Sequence, residues 1–125
     1  MLFRSRPLPA ADPRFIAGQA VYKDNCAACH TDAGSGVARL FPRLAGSPAA
    51  QADDPTTLIS AVLYGSRAAA TEGAPTGPAM PSFAWRLNDA QVASVLTYLR
   101  NAWGNAASPV SPDEVRTIRR DRGRQ

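Results

Sequence analysis

The sequence predicts one small all-α domain with about three main helices, a short C-terminal helix and long loops between them. The chain has 125 residues with an apolar content of 45%, which suits a single compact core. Eleven prolines and nine glycines interrupt the pattern, and this favours short helices joined by structured loops. No apolar and polar alternation is long enough to predict a strand.

The first two helices are predicted from local start and stop signals. Asp12 suits an N-cap and is followed by Pro13, a residue favoured at the first helical position. Apolar residues then recur three and four positions apart, which predicts a helix over Pro13–Asn25. A second helix is predicted over Thr56–Tyr64, because two aspartates and a proline precede it and Gly65 follows as its stop.

Two capping boxes predict the remaining helices. Asn88 with Gln91 opens an apolar run that should continue as a helix to about residue 100 or 103, before Gly104. Ser111 with Glu114 opens a short terminal helix. We therefore expect a flexible N-terminal segment at residues 1–12, a folded domain at 13–105, and an extension at 106–125 made of a short helix and an Arg-rich tail.

The charge distribution argues against nucleic acid as a partner. The formal net charge is +4, and residues 111–125 hold five arginines against three acidic residues. No aromatic residues are interleaved with these arginines, as they often are in nucleic-acid surfaces, so a solvated tail is the simpler interpretation. The chain also has no apolar run of the length that a membrane span needs.

The N-terminus shows no export signal. Residues 1–10 contain two arginines but no apolar core followed by a small-residue cleavage site. We expect either a domain excised from a longer chain or a mature form with a new initiator methionine.

The chemistry of the chain centres on its only two cysteines and its only histidine, in the run Cys26-Ala27-Ala28-Cys29-His30. At this spacing two thiols can add to the two vinyl groups of one haem while the adjacent imidazole reaches the iron. A structural zinc site is disfavoured because it needs four ligands and the chain has no further cysteine or histidine. A redox dithiol is disfavoured because the preceding segment is helical, with no parallel-sheet pattern.

Met80 is the candidate for the second axial ligand of the iron. The only other methionine is Met1, at the terminus. Most methionines simply fill a core, but Met80 lies in a loop between Pro78 and Pro81, where a packing role alone is unusual. A thioether ligand would raise the reduction potential.

Residues beyond the motif are candidates for orienting His30 and packing around the haem. The carbonyl of Pro42 lies a suitable loop length after His30 to accept a hydrogen bond from the second ring nitrogen, although a proline that only shapes the turn is an equal alternative. Leu44 and Phe83 are candidates for haem packing, within a larger apolar set that also includes Leu40 and Phe41.

Together these residues resemble the class I cytochromes c, and the resemblance covers residues 13–104. It rests on the cysteine motif, the Pro-x-Leu that follows it, the methionine loop and a tyrosine-bearing last helix. The segments Met80-Pro81-Ser82-Phe83 and Trp103-Gly104-Asn105 are similar to the C-terminal haem domain of multihaem cytochrome subunits from bacterial membrane-associated dehydrogenases. Those subunits carry several such motifs, whereas this chain has one.

The resemblance implies the class I cytochrome c fold and one covalent haem c with His30 and Met80 on the iron. It also implies that Gly18 and Tyr22 meet Tyr98 where the first and last main helices cross. The implied function is electron transfer from a dehydrogenase partner or domain to a respiratory acceptor in the periplasm, without catalysis by this chain. The alternative is a haem-based small-ligand sensor or a peroxidase, if Met80 is displaced.

Overall fold

The computed structural model describes residues 6–67 and 79–123, and it is mostly helical in these ranges, as predicted. The helices are α1 (Pro13–Asn25), α2 (Ala27–His30), α3 (Thr56–Tyr64), α4 (Asp89–Leu99) and α5 (Pro112–Gly123). A two-stranded antiparallel sheet joins β1 (Ser66–Arg67) to β2 (Ala79–Met80), with Ser66 opposite Met80. None of the helices in the described ranges has the length and apolarity to cross a bilayer.

Side-chain caps fix the helix starts that the sequence predicts. The Asp12 carboxylate accepts a hydrogen bond of 2.9 Å from the Arg14 amide, and α1 has the predicted bounds. Both capping boxes are also present: Asn88 accepts from the Gln91 amide at 2.8 Å, and Ser111 accepts from the Glu114 amide at 3.2 Å. Each cap satisfies a backbone donor that the helix itself leaves free.

The crossing of α1 and α4 forms the centre of the fold. A β-carbon on Gly18 would lie 2.0 Å from the Ser94 carbonyl oxygen and 2.5 Å from the Tyr98 β-carbon, so only glycine allows the two helices to approach this closely. The rings of Tyr22 and Tyr98 lie 5.4 Å apart in the same contact. The helix crossing that the resemblance implies is therefore confirmed. Around it lies one apolar core to which α1, α3, α4 and α5 all contribute.

Arg100, directly after α4, is fully buried and binds neutral partners. Its guanidinium donates to the carbonyls of Ala52 at 2.7 Å, Ala50 at 3.3 Å and Ser108 at 2.9 Å. Burial lowers the pKa of this guanidinium, while the charges of Glu114 and Asp53 act in the opposite direction. The side chain joins the loop before α3 to the segment that leads into α5.

The C-terminal extension is packed on the domain rather than solvated along its length. Val115 is fully buried in the core, which stabilises the docked helix by roughly 1.5–3 kcal/mol. The Arg119 guanidinium bonds to the Asp89 carboxylate at 2.9 Å and to the Ala84 carbonyl at 2.7 Å. The interpretation of residues 111–125 as a solvated tail is wrong for α5, because apolar residues at helical spacing share its sequence with the arginines.

Part of the predicted flexible N-terminal segment is attached to the domain. The amide of Leu8 donates to the Asn101 side chain at 3.1 Å, and the amide of Asp12 donates to the Pro9 carbonyl at 3.0 Å. Residues 1–5 of that segment lie outside the described residues, as do residues 68–78 of the predicted loop.

Candidate haem-binding site

The cysteine motif lies at the junction between α1 and the single turn of α2. The amide of Cys26 still bonds to the Tyr22 carbonyl at 2.8 Å, and the amide of His30 bonds to the Cys26 carbonyl at 3.0 Å. Residues three apart on a helical turn share a face, so Cys26 and Cys29 lie side by side. Both are free and half-buried, and burial, with a smaller effect of Cys29, raises the pKa of Cys26 to about 11.

One of the two ring nitrogens of His30 is engaged in a hydrogen bond. Its side chain is buried, and Nδ1 lies 3.0 Å from the Pro42 carbonyl oxygen. Because a carbonyl can only accept, Nδ1 carries the proton and Nε2 of the neutral ring keeps a free lone pair. The hydrogen bond expected for Pro42 is therefore present, and it fixes the tautomer that a metal ligand requires.

These residues line one cavity of about 240 Å³ together with Met80. The cavity is mostly apolar. Its lining comprises Asn25, Cys26, Cys29 and His30 from the junction of α1 and α2, Leu40, Phe41 and Pro42 from the following loop, and Ser66, Ala79, Met80, Pro81 and Phe83 from β1, β2 and the segment after β2. No Lys, Arg, Asp or Glu occurs among the described lining residues.

Met80 reaches the cavity through the short sheet and its links to α3. Gly65 ends α3 with φ of +77°, and a β-carbon there would lie 2.4 Å from the Met80 carbonyl oxygen. After Met80, the Ser82 hydroxyl and the Ala84 amide donate to the Leu63 carbonyl. The end of α3 therefore determines where the backbone of Met80 lies.

Of the residues predicted to pack against the haem, some line the cavity and one does not. Phe83 lines the cavity, as do Leu40 and Phe41. Leu44 does not: its half-buried side chain packs against the core, its amide donates to Gly34 at 2.8 Å and its carbonyl accepts from Asn105 at 3.1 Å. These bonds place Leu44 in a turn that packs on the core, and its packing against the haem stays a prediction.

Sequence reasoning missed Asn25 and Ser66 as lining residues. Asn25 is the last residue of α1, and its side-chain oxygen accepts from the Arg86 guanidinium at 2.6 Å. Ser66 lies in β1, opposite Met80. Only the position of Asn25 next to Cys26 carried a sequence signal, since a two-residue strand has no period to detect.

The donor set fits a covalent haem. Two neighbouring thiols, an imidazole with a free Nε2 and a thioether line the same apolar cavity, and these are the groups by which c-type haem is attached and ligated. A family model described as cytochrome c matches residues 15–103. The chain belongs to the cytochrome c family. The predicted class I fold, the haem c cofactor with its iron and the electron-carrier role are thereby confirmed, and the zinc and dithiol alternatives are excluded.

Two relatives of this cytochrome c are named as cytochrome c subunits of dehydrogenases. It is 45% identical over 106 residues to the gluconate 2-dehydrogenase cytochrome c subunit of Pantoea cypripedii, covering 83% of this chain and 24% of that protein. It is 43% identical over 104 residues to the alcohol dehydrogenase (quinone) cytochrome c subunit of Gluconobacter oxydans (strain 621H), covering 82% of this chain and 22% of that protein.

A further relative matches over most of its own length. Cytochrome c-552 of Thermus thermophilus is 35% identical over 103 residues, covering 75% of this chain and 78% of that protein. By contrast, this cytochrome c spans about a quarter of the length of the two dehydrogenase subunits.

Proposed function

We propose that Cys26 and Cys29 attach the haem through thioether bonds, that His30 and Met80 ligate its iron, and that this domain relays electrons from a dehydrogenase to a respiratory acceptor in the periplasm. The observation that carries the proposal is the meeting of these four side chains in one apolar cavity. The bound haem supplies the one-electron chemistry. Residues 13–105 form the haem-carrying unit, and residues 106–123 pack on it.

The protein's own residues account for the remaining requirements of an electron carrier. Pro42 fixes the His30 ring, so the imidazole needs no reorientation when the charge on the iron changes. Phe83 and Phe41 supply apolar lining that excludes water, which favours the less charged state of the site. Met80 supplies a soft ligand that favours ferrous iron.

Covalent attachment is tested with the chain expressed with haem maturation in the periplasm. Acid extraction should leave the haem on the parent polypeptide and should remove it from the Cys26→Ser/Cys29→Ser double variant. If extraction removes the haem from the parent as well, the attachment proposal is wrong.

Met80 ligation is tested with Met80→Leu, which keeps the apolar volume and removes the sulfur. The weak ferric absorption band that marks sulfur–iron ligation should be present in the parent and absent from the variant. Phe83→Leu is the control, because it changes the same cavity without removing a ligand and should keep the band. A parent protein that binds cyanide as fast as Met80→Leu does would contradict the assignment and favour a ligand-binding function.

The dehydrogenase partner is inferred from the relatives, two of which are named as cytochrome c subunits of gluconate and alcohol dehydrogenases. The catalytic subunit of such a dehydrogenase, supplied with its substrate, should reduce the purified domain. If the haem stays oxidised while the same preparation reduces its own cytochrome subunit, this partner class is excluded.

A further inference from the structure

The turn directly after His30 adopts a backbone conformation that its sequence does not favour. Thr31 has φ of +68° and ψ of +161°. This region of conformational space is almost restricted to glycine, and a β-branched residue there costs free energy that the surroundings must offset. Any group that holds Thr31 in this conformation also holds the backbone of its neighbour, His30.

Two aromatic side chains hold the successive carbonyls of this turn. The Tyr22 hydroxyl donates to the Thr31 carbonyl at 2.7 Å, and the Trp103 indole nitrogen donates to the Asp32 carbonyl at 2.9 Å. The two rings pack edge to face with centroids 5.2 Å apart, and Tyr22 is almost fully buried. The Tyr22 hydroxyl is thus a buried donor aimed at the strained residue itself.

Backbone hydrogen bonds also connect this turn to both partners of the His30 imidazole hydrogen bond. The Gly36 amide donates to the His30 carbonyl at 2.9 Å, and the Leu44 amide donates to the Gly34 carbonyl at 2.8 Å. These bonds join the backbone at His30 to the loop that contains Pro42, whose carbonyl lies 3.0 Å from Nδ1 of His30. A shift at Thr31 would therefore change the distance between the ring and its acceptor.

We infer that Tyr22 is a positioning residue for His30, acting through the Thr31 carbonyl on the hydrogen bond between His30 and Pro42. The inference rests on the proposed role of His30 as an iron ligand. A strong bond from Nδ1 to a carbonyl makes the imidazole a better electron donor and stabilises ferric iron. Loss of the Tyr22 hydroxyl weakens that bond and so raises the reduction potential.

The test compares Tyr22→Phe with Tyr98→Phe in the holoprotein. Both changes remove one hydroxyl from the same aromatic cluster, but the Tyr98 hydroxyl is hydrogen-bonded to Gln19 rather than to the turn. Tyr22→Phe should raise the reduction potential and speed the exchange of the His30 Nδ1 proton with solvent about fivefold, the factor that corresponds to one lost hydrogen bond. Tyr98→Phe should leave both quantities at the parent values.

A third variant tests the route through Thr31. Glycine adopts the Thr31 conformation without strain, so Thr31→Gly added to Tyr22→Phe should return the potential and the proton exchange toward those of the parent. The sulfur–iron band should persist in every variant, because the backbone of Met80 is held by the end of α3 and not by the turn after His30.

Several outcomes would overturn the inference. These are unchanged values in Tyr22→Phe, an equal shift in Tyr98→Phe, loss of the sulfur–iron band in Tyr22→Phe, or no return with Thr31→Gly. The spectrum of the parent protein tests the ligation of His30 and Met80 on its own. A failure confined to the Tyr22 variants therefore leaves the proposed function intact.

Discussion

The two proposed iron ligands, His30 and Met80, are held in place by different means. His30 lies in a contiguous motif, its ring is hydrogen-bonded to Pro42, and its helix α2 packs against α1, which packs against α4. Met80 lies in a two-residue strand in which it pairs with Ser66 and Ala79 pairs with Arg67, and the residues after it bond to the end of α3.

This difference shows which contacts keep each of the two residues in position. The position of His30 depends on the central helix crossing, so it should be lost only when the whole domain unfolds. The position of Met80 depends on a few local bonds and on the closure of the chain between β1 and β2, which carries its own entropic cost. The Met80 side should therefore open at a lower free energy than the His30 side.

The largest effect is expected at the helix crossing. Gly18→Ala places a β-carbon 2.0 Å from the Ser94 carbonyl oxygen, and backbone must move to relieve the overlap. We expect the free energy of unfolding to fall by more than about 3 kcal/mol, with the His30 signal lost in the same transition as the helical signal. Denaturant unfolding followed by absorption and circular dichroism measures both quantities. The control is Ala17→Gly, on the exposed side of α1, for which the free energy of unfolding should fall by about 1 kcal/mol. A His30 signal that persists after the helical signal is lost would contradict the dependence of His30 on the crossing.

Gly65→Ala should affect the Met80 side selectively. The new β-carbon meets the Met80 carbonyl oxygen at 2.4 Å in a positive-φ conformation, and the cost should be about 2–3 kcal/mol. We expect the sulfur–iron band to be lost while the covalent haem and His30 ligation remain, as read by absorption and by magnetic resonance.

Gly46→Ala is the matched control for Gly65→Ala. Gly46 also has positive φ, of +71°, but no atom lies within 4 Å of the added β-carbon. The substitution should cost about 1 kcal/mol and leave the band unchanged. If both alanine variants lose the band, the selectivity assigned to the end of α3 is wrong.

Ser82→Ala removes the hydroxyl that donates to the Leu63 carbonyl. The expected loss is about 1 kcal/mol, and the sulfur–iron band should disappear at a lower denaturant concentration than the global unfolding signal. Ser111→Ala removes the cap of α5 at a similar cost of about 1 kcal/mol, but the band and the global signal should still disappear together. If the band and the global signal disappear together in Ser82→Ala as well, the selective effect of Ser82 on Met80 is wrong.

The smallest effect concerns acid stability at the starts of α1 and α3. The pKa of Asp12 is lowered chiefly by the Arg14 side chain, and that of Asp54 by the Thr56 hydroxyl and amide. A lowered folded-state pKa gives stability that is present above the ordinary value of 3.8 and is lost as the pH falls through the lower folded-state value.

The contributions of these two carboxylates to stability should differ in their response to salt. Added salt should reduce the pH-dependent contribution of Asp12, because its main partner is charged, and should leave that of Asp54 nearly unchanged. Unfolding curves of Asp12→Asn and Asp54→Asn at low and high salt test this. Equal salt sensitivity in the two variants would contradict the assignment of causes.

The sequence predicted the features that depend on local chemistry. The bounds of α1 and α3 follow from Pro13, Gly65 and the caps, because those residues act on the backbone next to them. The bond between His30 and Pro42 also followed from known ligand chemistry.

Features that depend on tertiary contacts were not predictable in the same way. The positive φ of Thr31 has no signal in its residue type, and the short sheet has no detectable period. The turn that contains Leu44 is held by a hydrogen bond from Asn105, far along the chain. The docking of α5 likewise depends on the hydrogen bonds that Arg119 donates to the Asp89 carboxylate and to the carbonyls of Ala84 and Leu87.

The helix crossing also determines at which stage of synthesis the domain can fold. It joins residues 13–25 to residues 89–99, so it cannot form until synthesis has passed α4. Before then, Cys26 is solvated and keeps the ordinary pKa of a free thiol, whereas in the finished fold burial raises that pKa to about 11. Since the thiolate is the reactive form of cysteine, we expect the newly made chain to be more reactive at this half-buried position than the folded domain. Attachment at Cys26, as proposed, is therefore favoured before the crossing closes.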